Sequence, residues 1–115
     1  LKNKEILETS SDNIVRDYIT PIDFNNLIEL IINYKPLNTA LDCYTKSPIS
    51  KFDLLLELES KFGLNYRIDE SADFINSTGS KIHYYSVNKK AKNIGYSPRN
   101  NSLDGIIHEL NKLWQ

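Results

Sequence analysis

The chain predicts an α+β fold rich in helix, with four helices joined by short strands. Three observations carry that expectation. Apolar residues recur at helical spacing after Pro21, Ser50 and Ser102. Capping residues and glycines stand where such helices would start and stop, and short β-leaning runs fill the intervals between them.

Taken in order, residues 1–13 open polar, hold a strand candidate at Glu5–Thr9 and end in a turn cluster, which predicts a hairpin with a second strand over 14–19. Ile14, Val15, Tyr18 and Ile19 are the β-formers of that second strand, around the charged pair Arg16-Asp17. Thr20-Pro21-Ile22-Asp23 then reads as a helix start. Thr20 is the N-cap, Pro21 sits where its missing N–H costs nothing, and Asp23 closes a capping box and opposes the helix dipole. The helix runs over about 21–34, with Phe24, Leu27, Ile28 and Ile31 on one apolar face, and Pro36 ends it. Leu37–Thr45 is short and β-leaning around Ala40–Tyr44, which predicts a buried strand.

Ser50 caps a second helix, with Asp53 completing its capping box and Ile49 placed to staple onto Leu54. Phe52, Leu55, Leu56 and Phe62 are expected to face inward, and Gly63 supplies the left-handed residue that stops the helix. Asn65–Ile68 is a strand candidate, and Asp69–Lys81 is polar and reads as a loop. A short helix capped by Ser86 and stopped at Gly95 follows. The last helix spans about 102–114, with Leu103, Ile106, Ile107, Leu110 and Trp114 on one face.

A chain of 115 residues, 40% hydrophobic and 25% charged, suits one soluble domain with a modest core. With 14 basic and 15 acidic side chains its net charge is −1, so no global field draws it to nucleic acid or an anionic membrane. Its one cysteine, Cys43, cannot form an internal disulfide and reads as a small buried hydrophobe. No signal peptide or bilayer-spanning run is present, and the cytoplasm is the expected location. A first residue Leu1 and the lack of any methionine lead to the expectation of a fragment of something larger.

Three stretches carry a family resemblance. Arg16-Asp-Tyr-Ile19 with Asp23 at the helix start resembles the Arg-Asp-(Tyr/Phe)-(Ile/Val)-His-Val-x-Asp signature of the extended short-chain dehydrogenase/reductases, the NAD-dependent epimerase/dehydratase family. Pro48-Ile-Ser50 followed by Asp53-Leu-Leu-Leu-Glu-Leu58 is similar to that family's Pro-Ile-Ser-(Val/Ile)-x-Glu-Leu segment. Gly95-Tyr-Ser-Pro98 and Ser102-Leu-Asp-Gly-Ile106 resemble its closing Leu-Gly-(Trp/Tyr)-x-Pro and Ser-Leu-x-x-Gly-(Leu/Ile) pattern.

The resemblance implies that residues 1–115 are a single C-terminal substrate-binding domain, helix-rich, belonging to a Rossmann-type enzyme whose cofactor half precedes it. The parent would be an NAD(P)-dependent epimerase, dehydratase or reductase of nucleotide-sugars, serving polysaccharide biosynthesis. NAD or NADP is implied for the parent, no cofactor, metal or catalytic residue is expected in this chain, and the expected partners are a nucleotide-sugar and the Rossmann half.

Arg16 is the family's diphosphate contact, and its alternative role is a surface ion pair with Asp17 or a neighbouring Glu. Tyr18 is a candidate to line the substrate cleft, but a packed core aromatic is the first reading. Asp23 is a cap rather than a catalyst. The stretch Glu8–Asn13 lacks the aromatic and glycines that help hold the nucleoside in the family. Where the family has a second diphosphate arginine this chain has Ser77, so either diphosphate affinity is expected to be lower, or the charge comes from Arg67, Lys81 or Lys89, or the ligand differs.

Tyr85 and Lys89 have the Tyr-x-x-x-Lys spacing of a phenol acid/base and its lysine, but the working pair of the family lies in its cofactor half. His83 and His108 have no ligand partner at metal spacing, and the basic run Lys81, Lys89, Lys90, Lys92 and Arg99 reads as a solvated face. The competing reading of the whole chain is a stand-alone binding or interaction module whose apolar helix faces bury a partner.

The four glycines, Gly63, Gly79, Gly95 and Gly105, are too dispersed for the Gly-x-Gly-x-x-Gly turn that lets a backbone approach a pyrophosphate. The chain alone is therefore expected to show no measurable affinity for NAD(H), and micromolar binding in a calorimetric titration would overturn that expectation.

Overall fold

The computed structural model describes residues 5–71 and 81–114. In chain order these form β1 (Leu7–Ser10), β2 (Val15–Arg16), α1 (Pro21–Asn33), β3 (Ile49–Ser50), α2 (Lys51–Phe62), β4 (Tyr66–Asp69), β5 (His83–Tyr84), a 3-10 helix (Lys90–Ile94) and α3 (Ser102–Leu113). The α+β class predicted from sequence is the class observed. The described residues divide into two compact units: one takes the chain up to Arg16 and from Ser50 to Tyr84, the other Asp17–Ile49 and the chain from Tyr85 onward.

In the first unit β1 does not form the expected hairpin. It pairs in parallel with β4, Leu7 opposite Tyr66 and Ser10 opposite Asp69, while β2 pairs in parallel with β5, Val15 opposite His83 and Arg16 opposite Tyr84. A parallel pair needs a crossover, and α2 lies in the connection between β1 and β4. The turn cluster before Ile14 serves α2 instead of a hairpin: the Asn13 side chain accepts from the Phe52 N–H at 2.9 Å.

Ser50 caps α2 as its sequence predicts, accepting from the Asp53 N–H at 3.2 Å, and Gly63 ends the helix at φ 64°. Leu55 and Leu64 are the buried apolar residues here, whereas Leu56, expected inside, is 55% exposed. Lys51 is half-buried, its ammonium donating to the Ser10 carbonyl at 2.6 Å and to the Ser10 hydroxyl at 3.1 Å. Burial pushes its pKa below the usual lysine value, with Asp12 opposing part of that shift.

In the second unit the core is Leu27, Tyr44, Ala91, Ile94 and Tyr96, with Leu30, Leu41 and Cys43 packed against it. α1 buries Leu27, and Leu30 rather than the expected Ile28 or Ile31 joins it at the core; Phe24, Ile28 and Ile31 are 50%, 39% and 37% exposed. The helical period is correct, but the buried stripe is narrower than the apolar one.

The predicted strand within Leu37–Thr45 is absent, because side chains supply the hydrogen-bond partners that a neighbouring strand would. The Tyr96 hydroxyl donates to the Tyr44 carbonyl at 2.7 Å, and the Asp17 carboxylate accepts from the Thr45 N–H at 2.9 Å. Tyr44 and Tyr96 also meet edge to face, with ring centroids 5.1 Å apart.

The helix expected from Ser86 shortens to the 3-10 helix, whose N-cap residue, Lys89, makes no side-chain cap bond. Ser86 and Asn88 instead make successive local turns: the Ser86 hydroxyl accepts from the Asn88 N–H at 3.1 Å, and the Asn88 side chain from the Lys90 N–H at 2.9 Å. Gly95 closes the segment at φ 93°, a conformation that favours glycine.

α3 packs closely against the entry to α1. A Cβ on Gly105 would stand 2.6 Å from Thr20 Cγ2, and Thr20 is 3% exposed with little room to yield. Alanine gains about 1 kcal/mol of helix propensity over glycine, but overpacking beside a stiff β-branched residue costs about 1–3 kcal/mol. Gly105→Ala is therefore expected to destabilise the fold. Adding Thr20→Ser, which removes the methyl and keeps the capping hydroxyl, is expected to restore most of the loss. Urea unfolding of the two single variants and the double variant measures this, and additive losses would refute the close approach.

Candidate functional site

Arg16 ends β2, and pairing with β5 brings it beside the backbone of residues 81–84. Its Nη1 donates to the Val15 carbonyl at 2.8 Å and the Ile82 carbonyl at 3.1 Å, and Nη2 donates to the Lys81 carbonyl at 2.9 Å. The guanidinium carbon lies 5.7 Å from the centre of the Tyr84 ring, and the Lys81 ammonium lies 4.6 Å from the same centre. Two cations thus lie close to the ring of Tyr84, a residue that is 61% exposed. Three of the five guanidinium N–H groups are used by carbonyls, which leaves two donors facing no protein acceptor among the described residues. The alternative surface pair with Asp17 or a Glu does not form: no ion pair involves Arg16 among the described residues.

The three side chains named as substitutes for a second arginine have different surroundings. Arg67 pairs with Glu8. Lys89 belongs to the second unit, where its ammonium sits 3.7 Å from the centre of the Tyr44 ring. Lys81 alone shares an aromatic ring with Arg16. Ser77 and Gly79 lie outside the described residues. Sequence reasoning missed Tyr84, because β5 falls just past a polar stretch read as loop; the β-leaning run Ile82–Tyr85 was its only signal.

Asp17 opens the second unit and turns to its interior. Its carboxylate accepts from the Thr45 N–H at 2.9 Å, from the Thr45 hydroxyl, and from the Ser102 hydroxyl at 2.8 Å. Ser102, fully buried, also accepts from the Tyr18 N–H at 2.9 Å. Asp23, equally buried, is a cap that does more than cap. Besides its contacts with Thr20, its carboxylate accepts from the Arg99 N–H at 2.8 Å and the Asn100 N–H at 3.4 Å.

Tyr18 is 38% exposed. It lines an apolar cleft of about 280 Å³ with Ile19, Ile106, Leu110 and Leu113. Tyr18 is not among the buried core residues of its unit.

Tyr85 and Lys89 stand on irregular backbone before the 3-10 helix, so no helical turn places the phenol beside the amine. Cys43 Sγ lies 3.3 Å from the Tyr96 hydroxyl. Burial pushes the thiol pKa up, the Tyr96 hydrogen bond opposing part of the rise, and burial raises Tyr96 as well. A thiol held neutral in this way is a poor nucleophile. Among the described residues no group of three or more His, Cys, Asp or Glu side chains is placed to hold a metal ion. No described helix is long and apolar enough to cross a membrane.

Removing the Asp17 carboxylate strands the Thr45 N–H and takes from the Ser102 hydroxyl its 2.8 Å acceptor, while the Thr45 hydroxyl keeps the Ser47 carbonyl at 2.9 Å. Asp17→Ala is expected to lose about 3 kcal/mol and Asp17→Asn less, since each stranded group costs about 1–3 kcal/mol. Chemical denaturation is the measurement, and a loss below about 1 kcal/mol would instead match an exposed ion pair.

Comparison of the chain with known protein families, with characterised proteins and with solved structures finds no match.

Proposed function

We propose that this chain is the substrate-binding portion of an NAD(P)-dependent nucleotide-sugar epimerase, dehydratase or reductase. In this reading it supplies sugar-nucleotide contacts and no catalytic or cofactor-binding residue. One observation carries the proposal: the first and last of the stretches that resemble the family, far apart in sequence, meet through a hydrogen bond and a close approach. Asp17 accepts from Ser102, Asp23 accepts from the backbone of Arg99 and Asn100, and Gly105 leaves room for Thr20. The segment leading to Pro48-Ile-Ser50 joins them, since the Lys46 N–H donates to the Asn100 carbonyl at 2.9 Å and the Ser102 N–H to the Ser47 carbonyl at 3.0 Å. Motif residues that meet in this way are constrained together, which chance matches need not be.

Within this reading Arg16 and Lys81 neutralise the diphosphate. Arg16, oriented by three carbonyls, offers its two remaining N–H groups, and Lys81 adds a point charge in place of the second arginine. The exposed apolar residues of α1, Ile32 at 73% above all, favour a second reading, a stand-alone module that buries a protein partner. Sugar-nucleotide binding separates the two.

The test is a calorimetric titration of the full-length protein with UDP-hexose, GDP-hexose and dTDP-hexose. Lys81→Ala is expected to weaken binding roughly tenfold with little change in melting temperature, because the only side-chain contact Lys81 gives up among the described residues is with the exposed Tyr84 ring. Arg16→Ala is expected to weaken binding and also to lower the melting temperature, since its carbonyl contacts go too. Unaltered affinity per folded molecule in both variants would remove the diphosphate assignment, and an absence of binding in the parent protein would favour the interaction module.

A further inference from the structure

The second unit holds a cationic cleft that the proposed function leaves unused. It measures about 450 Å³ and is lined by Tyr44, Lys89, Lys92, Tyr96 and Ser97 among others. That size falls within the roughly 300–1,000 Å³ of small-molecule sites. No carboxylate stands among its described lining residues, and neither lysine has an acidic partner among the described residues.

The lysines are not loose surface charges thrown together. The Lys89 carbonyl accepts from the Lys92 N–H at 3.0 Å, the i to i+3 bond of a 3-10 turn, in which side chains three apart eclipse and leave from the same side. Lys89 is further held with its ammonium 3.7 Å from the centre of the Tyr44 ring and 3.5 Å from the Ser86 carbonyl. The Tyr44 ring is itself fixed by burial and by its edge-to-face contact with Tyr96. A lysine positioned by a ring and a carbonyl keeps its full charge uncompensated while its motion is already restricted, so a ligand has less ordering to impose. Ser97 also lines the cleft, and a serine hydroxyl is a neutral donor.

We infer that this cleft binds the phosphoryl group of a small phosphorylated molecule, Lys89 and Lys92 supplying the charge and Ser97 a hydrogen bond. A phosphoryl dianion matches the charges of two lysines where a carboxylate would match one. The volume left beyond the phosphoryl group has room for the rest of a small metabolite.

The experiment titrates the protein with inorganic phosphate and with ribose 5-phosphate, followed by NMR at constant ionic strength held with chloride. Saturable binding of both probes is expected, with Lys92→Gln weakening it roughly tenfold. Lys90→Gln is the control, because Lys90 lines a different cleft with Tyr34 and Leu41, and it is expected to change nothing. Lys89→Gln also removes a ring contact, so its effect is read together with its melting temperature. The Lys81→Ala variant is expected to keep this binding in full, so failure here and failure of the sugar-nucleotide assignment are separate outcomes. Non-saturating shifts with both probes, or equal losses in Lys90→Gln and Lys92→Gln, would show diffuse attraction to a basic surface and overturn the inference.

Discussion

Two carboxylates set the terms for the second unit. Asp17 and Asp23 sit six residues apart around the start of α1, and each accepts hydrogen bonds from chain more than twenty-five residues distant. Burying a carboxylate is costly unless donors surround it, so the donors have to be delivered: Thr45 and Ser102 for Asp17, the N–H groups of Arg99 and Asn100 for Asp23. Delivering them fixes where the 45–47 segment, the 99–101 turn and the first turn of α3 run. The absence of side chain at Gly105 follows from the same constraint, because α3 can offer Ser102 to Asp17 only if its next turn lies against Thr20.

This arrangement divides labour within the Arg16-Asp17 pair. Adjacent opposite charges suggest a mutual ion pair, and in an exposed loop that would be the default. Here successive residues belong to different compact units, Asp17 is drawn inward by its donors, and Arg16 turns to carbonyls and an aromatic ring. Among the described residues the cation is thereby left without an anion, which is the condition a diphosphate site needs.

Features whose cause is local were legible in the sequence. Thr20, Ser50, Gly63 and Gly95 do what their side chains or their lack of one dictate, and α1, α2 and α3 lie where helical spacing put them. Pairing was not legible, because it is decided by partners. β1 and β2 read as a hairpin but take parallel neighbours, and Ala40–Tyr44 reads as a strand but finds side-chain acceptors and donors instead of a ladder. Facing was only half legible. A helical period fixes that an apolar stripe exists on α1, but what the fold offers opposite it decides that Leu27 is buried while Ile28 and Ile31 stay open. Of the candidate site, Arg16 and Tyr18 were legible as residue types in a motif; Lys81 and Tyr84 became visible only once β5 was paired with β2.

The two cationic clusters share one construction, and it bears on what they bind. In each, a basic side chain lies over a tyrosine ring and donates to a backbone carbonyl: Arg16 with Tyr84 and the carbonyls of residues 81 and 82, Lys89 with Tyr44 and the Ser86 carbonyl. A ring and a carbonyl orient a cation without cancelling its charge, whereas a carboxylate would orient it and cancel it. The chain does use carboxylates elsewhere, pairing Lys61, Arg67 and Lys112 with glutamates on exposed surface. Basic residues held by neutral groups are therefore a separate class in this molecule, and anionic ligands are the partners their chemistry selects.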